Sequence, residues 1–330
     1  MSPPSVRHPF EINKELVAAG TVQRTEVPIS TLSTGTVLSV PVVVMHGKFE
    51  GPTLLVSAAI HGDEINGIEV IRRFMGHVKP ARLKGTVVTV PIFNVFGYLT
   101  RSRYLPDRRD LNRSFPGSRK GSLASQLAHW FTNEVLVRCD VAVDLHTGSD
   151  NRINMPQIRC DLDVPSAREL GMAFGAPILA HSNPRPNSMR AAAAELGLPM
   201  LVFEGGEALR FDPWSLDVGV RGLRQLLVYL EMQNSTDLAT VDVPYVALGS
   251  SWVRVKRGGV WHSDVRLGDE VAAGQPLGKV TDIYGTIRSR CAAPYPGKVV
   301  GMAQLPNVSR GDAVLHIAVP FSLKSSPEIE

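Results

Sequence analysis

Four short apolar runs, residues 53–60, 86–93, 141–145 and 199–203, most constrain what this chain can fold into. Each is apolar almost throughout rather than alternating, the pattern of a strand buried on both faces. Between them lie segments with helical spacing. Residues 65–74 carry Ile65, Ile68, Val70, Ile71 and Phe74, and residues 122–137 carry Leu123, Leu127, Trp130, Phe131 and Leu136. Residues 165–174 and 188–196 also read as helices, and a long amphipathic stretch, 214–232, follows the last run. Strands alternating with helices predict an α/β fold with a mostly parallel central sheet flanked by helices. Residues 21–29 and 37–45 read as further strands, so residues 1–50 are strand-rich. Residues 47–52 read as a turn, and 94–118, rich in Arg and Pro, as a loop.

In such sheets ligands gather at the carboxyl ends of the strands. Three of the four runs stop at a residue able to do chemistry there: His61, His146 and Glu204. Any one of them read alone is better explained as a packed strand-end residue, and a His-x-x-Glu pair such as His61 and Glu64 is common by chance. Together they would face one crevice, and that reverses the odds. Two His and one carboxylate with a fourth position open to water is the usual ligand set of zinc hydrolases. His61, Glu64 and His146 are therefore expected to hold one Zn²⁺ per chain. Hydrolysis also needs a carboxylate outside the ligand set to take the proton and hand it to the leaving amine. Glu204 ends its strand directly, and Gly205-Gly206 would let substrate approach closely. Glu207 is the rival, placed on the loop beyond. Asp144 alternates with His146, so it would orient that imidazole.

The remaining composition narrows the classes. The chain has 330 residues, 44% hydrophobic and 20% charged, as in ordinary globular proteins. A net charge of +4 favours small anionic substrates over cationic ones. It does not call for nucleic acid, because no dense Lys/Arg cluster is interleaved with aromatics. Arg101, Arg103, Arg108, Arg109 and Arg113 do concentrate in one segment; for Arg101, Arg108 and Arg109 a solvated face is the expectation. No apolar run is long enough to span a membrane, and residues 1–20 lack an apolar core of signal-peptide length. Cys139, Cys160 and Cys291 form no C-x-x-C, so they read as free thiols of a reducing compartment, and a cytoplasmic location is expected.

Beyond a polar linker at 233–242 the pattern changes to short β segments punctuated by glycine. Residues 267–280 and 308–317 are related strand-turn-strand pieces, and they resemble the barrel-sandwich fold of biotinyl and lipoyl carrier domains. The hairpin region 282–290 contains no lysine to carry a group. The expectation is a catalytic α/β domain over 1–235 and a smaller all-β domain over 243–330 that shields or supports. His262 and His316 in this part read as surface or satisfied core residues.

Four motifs then make a resemblance specific: H-G-D-E at 61–64, D-L-N-R-S-F-P-G at 110–117, D-L-H-T-G at 144–148 and F-E-G-G at 203–206. In this order they resemble the succinylglutamate desuccinylase/aspartoacylase family, a deacylase branch of the zinc carboxypeptidase fold, over about residues 40–232. The terminal β module is similar to that of the diaminobutyrate deacetylase-like members. The resemblance implies that His61, Glu64 and His146 ligate zinc and that Glu204 is the catalytic base. It implies that Asn112 and Arg113 bind the substrate carboxylate, that Arg103 polarises the scissile carbonyl, and that Asp110 orients a ligating imidazole. Arg190, in S-M-R-A-A-A at 188–193, falls in a segment similar to a family substrate-contact region.

The expected function is a zinc-dependent amidohydrolase that removes the acyl group from a small N-acyl amino acid. It would use metal-activated water and Glu204. A metallocarboxypeptidase shares every catalytic part but needs an open groove for a peptide. A zinc-containing binding protein without turnover would have no need of Glu204. The terminal module offers a contact surface for a homo-oligomer.

Overall fold

The computed structural model describes residues 7–31, 34–234 and 243–320. Strands β1 (Phe10–Ile12) and β2 (Glu15–Val17) form a small hairpin, followed by β3 (Thr21–Thr31) and β4 (Val37–His46). Then come β5 (Phe49–Ala58), α1 (Asn66–Met75), β6 (Lys84–Val90), α2 (Val95–Thr100), α3 (Leu123–Trp130) and β7 (Val141–Gly148). They are succeeded by β8 (Arg152–Cys160), α4 (Pro165–Phe174), β9 (Ile178–His181), α5 (Met189–Glu195), β10 (Met200–Glu207) and α6 (Pro213–Tyr229). The C-terminal part is all strand: β11 (Tyr245–Arg254), β12 (Gly259–Ser263), β13 (Glu270–Val271) and β14 (Pro276–Thr281). It closes with β15 (Ile287–Ala292), β16 (Gly297–Ala303), β17 (Asn307–Val308) and β18 (Ala313–Pro320).

Twelve of these strands, among the described residues, make one sheet in the order β13-β16-β18-β11-β9-β8-β10-β7-β5-β6-β4-β3. From β11 to β6 every neighbouring pair is parallel except β8 and β10. Both flanks are antiparallel, so the sheet as a whole is mixed. Helices cover its two faces. Val70, Ile71 and Phe74 of α1 join Phe174 of α4 and Leu223 and Leu226 of α6 over Val56, Val143 and Leu201. On the other face Leu127 of α3 and Ala192 of α5, with Phe93, Phe115 and Phe131, cover Leu55 and Val88. The helices begin where local chemistry says they should: Ser122, Ser188 and Asp212 each cap a helix by accepting a backbone N–H three residues on.

Several sequence expectations shift at their edges. Strand β5 begins at Phe49, so the expected turn at 47–52 shrinks, because Phe49 already pairs with Lys84. The expected loop at 94–118 contains α2, capped by Asn94 accepting the Gly97 N–H at 2.8 Å. Strands β8 and β9 were not anticipated. Of the expected linker, residues 235–242 lie outside the described residues.

The C-terminal strands do two things. β12, β14, β15 and β17 form a second sheet of four strands. It packs on the end of the large sheet around Trp261, Leu277, Val280, Val299, Leu315 and Ile317, as in a sandwich. Meanwhile β11 pairs with β9 and β16 with β8, so this part continues the sheet of the preceding residues.

The loop after β5 is packed with little room to spare. A Cβ on Gly62 would sit 1.9 Å from the Gly97 carbonyl carbon and 2.1 Å from the Tyr98 nitrogen, both backbone atoms of α2. Gly62→Ala should therefore destabilise the fold by about 3 kcal/mol, the upper end for overpacking, read as a lower urea midpoint. An unchanged midpoint would show that α2 yields freely.

Candidate functional site

Strand β5 ends at Ala58, and Ala59 turns the chain with a left-handed φ of 50°. A non-glycine residue rarely adopts that conformation, and it is tolerated here because the Ala59 carbonyl accepts the Asn94 N–H at 2.8 Å. The turn delivers His61 and Glu64. His146 and Glu204 do not follow their strands as expected; they lie inside β7 and β10. The reason is the parallel ladder, which stays in register through Glu204 opposite His146 and shifts only beyond it. The two side chains are neighbours on one face.

Glu64 is the centre of the constellation. Its Oε1 lies 2.8 Å from His61 Nδ1 and its Oε2 lies 2.8 Å from His146 Nδ1. The Thr147 backbone N–H also donates to Oε2 at 3.1 Å. The other nitrogen of each imidazole meets a carboxylate: His146 Nε2 is 2.7 Å from Asp144, and His61 Nε2 is 3.3 Å from Asp110. Ser57 donates to the second oxygen of Asp144 at 2.7 Å. Burial alone would raise the Glu64 pKa, but the two imidazoles outweigh it and hold the carboxyl well below its usual range. Burial likewise opposes charge on His146, yet Asp144 and Glu64 raise its pKa well above normal.

The donor set suits a divalent cation. One atom each from His61, Glu64 and His146 lies within 4.8 Å of the others, and all three residues are buried. Nδ1 of both rings faces Glu64, while Nε2 is held by a carboxylate, the arrangement that fixes a ligating imidazole. Three converging carboxylates call for positive charge, which a dication would supply.

The arginine loop folds over this centre. Arg103 donates to Asp110 at 2.9 Å and to Glu64 at 3.2 Å. Asp110 also accepts the Asn112 N–H at 2.8 Å, which closes the short turn carrying Arg113. Asn112 in turn accepts the Met189 N–H at 2.9 Å, tying the loop to α5. Arg101, Arg108 and Arg109 are exposed.

These residues open onto a cavity of 490 Å³. His61, Glu64 and His146, Arg103, Asn112 and Arg113, and Arg190 and Glu204 all line it, with Asp110 and Asp144 behind the imidazoles. Glu207 does not line it; it too belongs to β10, and its nearest cation is Arg210 at 3.7 Å. Gly205 and Gly206 are also absent from the lining. Their smallness serves packing instead: a Cβ on Gly206, at φ 78°, would lie 2.3 Å from Asn66 Nδ2.

Sequence reading missed one side of the cavity. Arg152, Asn154 and Arg159 of β8, Arg185, and Ser250, Trp252 and His316 of the C-terminal strands line it too. Arg159 Nη1 lies 3.1 Å from Glu204 Oε1, and Asn154 Nδ2 donates to Oε2 at 2.8 Å. His316 stacks on Trp252 with centroids 4.6 Å apart, and Arg152 lies 5.3 Å over the Trp252 ring. Burial, then the nearby Arg159, pushes the His316 imidazole down to about 3. His316 is a cavity-wall residue and its Nδ1 has no partner, contrary to the expectation of a satisfied residue.

Comparisons with known proteins agree with this architecture. The model of the succinylglutamate desuccinylase/aspartoacylase catalytic domain matches residues 50–230. The N-alpha-acetyl-L-2,4-diaminobutyric acid deacetylase of Halomonas elongata is 29% identical over 293 residues, covering 84% of this chain and 85% of that protein. A succinylglutamate desuccinylase/aspartoacylase structure from Rhodobacter sphaeroides superposes with a TM-score of 0.81 at 24% identity, covering 91% of this chain and 96% of that one. The product-bound ectoine utilization protein EutE (DoeB) of Ruegeria pomeroyi gives 0.83 at 23% identity, covering 95% and 99%. At these identities the two structures speak to the fold.

The carboxylate behind His146 provides a test of the candidate metal centre. Asp144→Asn should lower zinc affinity about 10- to 100-fold, measured by competition with a chelator. Equal affinity in the variant would remove Asp144 from the ligand support.

Proposed function

The chain belongs to the succinylglutamate desuccinylase/aspartoacylase family, and from that premise we propose that it is a zinc-dependent deacylase of small N-acyl amino acids. One observation carries the reading: a buried His-Glu-His donor set and a separate carboxylate, Glu204, meet in an arginine-lined cavity. The Halomonas relative, by its name a deacetylase of an N-acetylated amino acid, supports amide cleavage of this kind.

His61, Glu64 and His146 would hold the metal, with Asp110 and Asp144 fixing the imidazoles. When bound, zinc lowers the pKa of water to about 7 and polarises a carbonyl as a Lewis acid. Arg113, placed by Asn112, would take the substrate carboxylate as a charge-assisted contact. Arg190, the residue after Met189, whose N–H donates to Asn112, would assist it from that side. Arg103 would stabilise charge on the carbonyl oxygen from its position beside Glu64. Glu204 would accept a proton from the attacking water as its oxygen bonds to the acyl carbon. It would then return that proton to nitrogen as the C–N bond breaks, leaving a carboxylate and an amine.

Ser250, Trp252 and His316 wall the cavity. That favours a small substrate over a peptide, and a shielding role for the C-terminal part. We treat residues 1–235 as the catalytic portion and 243–330 as this wall, although their strands share one sheet. No helix among the described residues is long and apolar enough to cross a membrane. The three cysteines are unpaired, and a cytoplasmic location fits them.

A screen of N-acyl amino acids and short peptides with zinc-loaded protein should show hydrolysis of the former; peptide cleavage alone would favour the carboxypeptidase. Glu204→Gln should keep zinc and lose turnover, and full activity would reassign the base. Arg113→Ala should raise KM by the equivalent of about 2 kcal/mol, as for a lost charge-assisted contact. An unchanged KM would mean that another residue reads the carboxylate.

A further inference from the structure

We propose that Arg159 is a substrate-responsive latch on Glu204: an anionic group on the bound substrate draws the guanidinium away and frees the carboxylate. The inference rests on the reading of Glu204 as the base. Both Glu204 oxygens are engaged, Oε1 by Arg159 Nη1 at 3.1 Å and Oε2 by Asn154 Nδ2 at 2.8 Å. An oxygen that already accepts a hydrogen bond from a guanidinium has that lone pair occupied. With the latch closed, Glu204 is poorly placed to take a proton.

The two partners differ in freedom. Asn154 sits in the middle of the sheet, its backbone paired on one side with Gly206 of β10 and on the other with Gly301 of β16. It is a fixed support. Arg159 carries its charge at the end of a long side chain, 24% exposed and open to the cavity. Among the described residues its one further side-chain tie is Nε to the neutral Gln157 Oε1 at 3.2 Å; because the guanidinium is planar, a swing gives up this bond together with the pairing to Glu204. Of the cavity's other cations, Arg103 is committed to Asp110 and Glu64, and Arg190 holds Ser182 and the Asn183 carbonyl through Nη2 while its Nη1 has no partner. Among the described residues Arg159 is the arginine paired with Glu204.

The exchange is close to balanced, since one carboxylate replaces another on the same guanidinium, with bidentate geometry available to the newcomer. His316, beside it, stays neutral and adds no competing charge. Binding energy from the anion would then appear as a faster chemical step rather than only as tighter binding. Arg159 acts as a positioning residue toward Glu204 and, once swung, as a specificity residue toward substrate. The carboxylate that opens the latch could come from the acyl end or from the amino-acid side chain.

The test compares wild type, Arg159→Gln and Arg159→Lys, all zinc-loaded, on two matched pairs. N-acetylaspartate against N-acetylasparagine varies the side chain; N-succinylalanine against N-succinamoylalanine varies the acyl end. For one pair, wild type should show a kcat about tenfold higher for the charged member, the scale of one charge-assisted contact. In Arg159→Gln the charged member should lose about tenfold in kcat/KM while the neutral member's kcat rises, and Arg159→Lys should restore part of the preference. A neutral-member kcat that falls or stays level would make Arg159 only a scaffold and overturn the latch. If wild type cleaves neither pair, the deacylase reading is judged by the wider screen of N-acyl amino acids. The latch is then decided without turnover, by a crystal structure with succinate: Arg159 should leave Glu204 for the ligand, and a guanidinium still on Glu204 overturns it.

Discussion

Glu64 joins two parts of the chain that are 82 residues apart, because each of its carboxylate oxygens faces a different imidazole. A buried carboxylate is costly to leave unpaired, so this geometry holds only while the loop after β5 and the strand β7 keep their places. The loop is held by the left-handed turn at Ala59 and the close approach of α2 to Gly62. The strand is held by ladders on both sides, β5 on one and β10 on the other. The cluster is thus a consequence of sheet order. Exchange any two of these central strands and the four groups no longer meet.

The same ladder explains why Glu204 stands beside His146 without joining the ligand group. Parallel neighbours in register place same-face side chains next to each other, at the spacing of adjacent strands, about 4.8 Å. That is near enough to share one substrate. The hydrogen bond from Asn154 and the pairing with Arg159 hold the Glu204 carboxylate toward β8, away from Glu64. Two carboxylates in one cavity therefore face different surroundings, one locked between imidazoles and the other in reach of a mobile cation. Separate environments of this kind allow like groups separate roles.

The sequence made one half of this legible and hid the other. His61, His146 and Glu204 stood out because each ends an apolar run, where a polar residue is conspicuous, and Glu64 because it follows His61 by three residues. Asp144 could be found from period two alone. The arginine loop was visible as a cluster, but its motif, rather than its composition, separated Arg103 and Arg113, which line the cavity, from Arg101, Arg108 and Arg109, which do not. Strand β8 was invisible for a physical reason. Pro156 sits within it, and its pairing with β10 changes register between Glu204 and Gly206. Arg152 and Asn154 thus share a parity that Arg159 does not, and no single alternation marks all three as cavity residues. Trp252 and His316 were hidden by distance, since the junctions of β11 with β9 and of β16 with β8 bring them to the site.

The C-terminal strands also decide what the cavity can hold. Arg103 and Arg113 come from the loop, Arg152 and Arg159 from β8, Arg185 from the segment leading into α5 and Arg190 from α5 itself, yet all line one space. Spread over a surface, these charges would be screened by salt within roughly 10 Å. Partly covered in the cavity, the less exposed of them, Arg103, Arg159 and Arg190, act at lower effective dielectric. Arg190 shows the strain of this arrangement: burial lowers its pKa, and its Nη1 is buried without a partner. A buried donor with nothing to bond is unfavourable, and a bound carboxylate would relieve that penalty. The wall formed by the last strands and the excess of arginine are therefore one device, since closing the cavity makes its cations depend on a ligand to complete them.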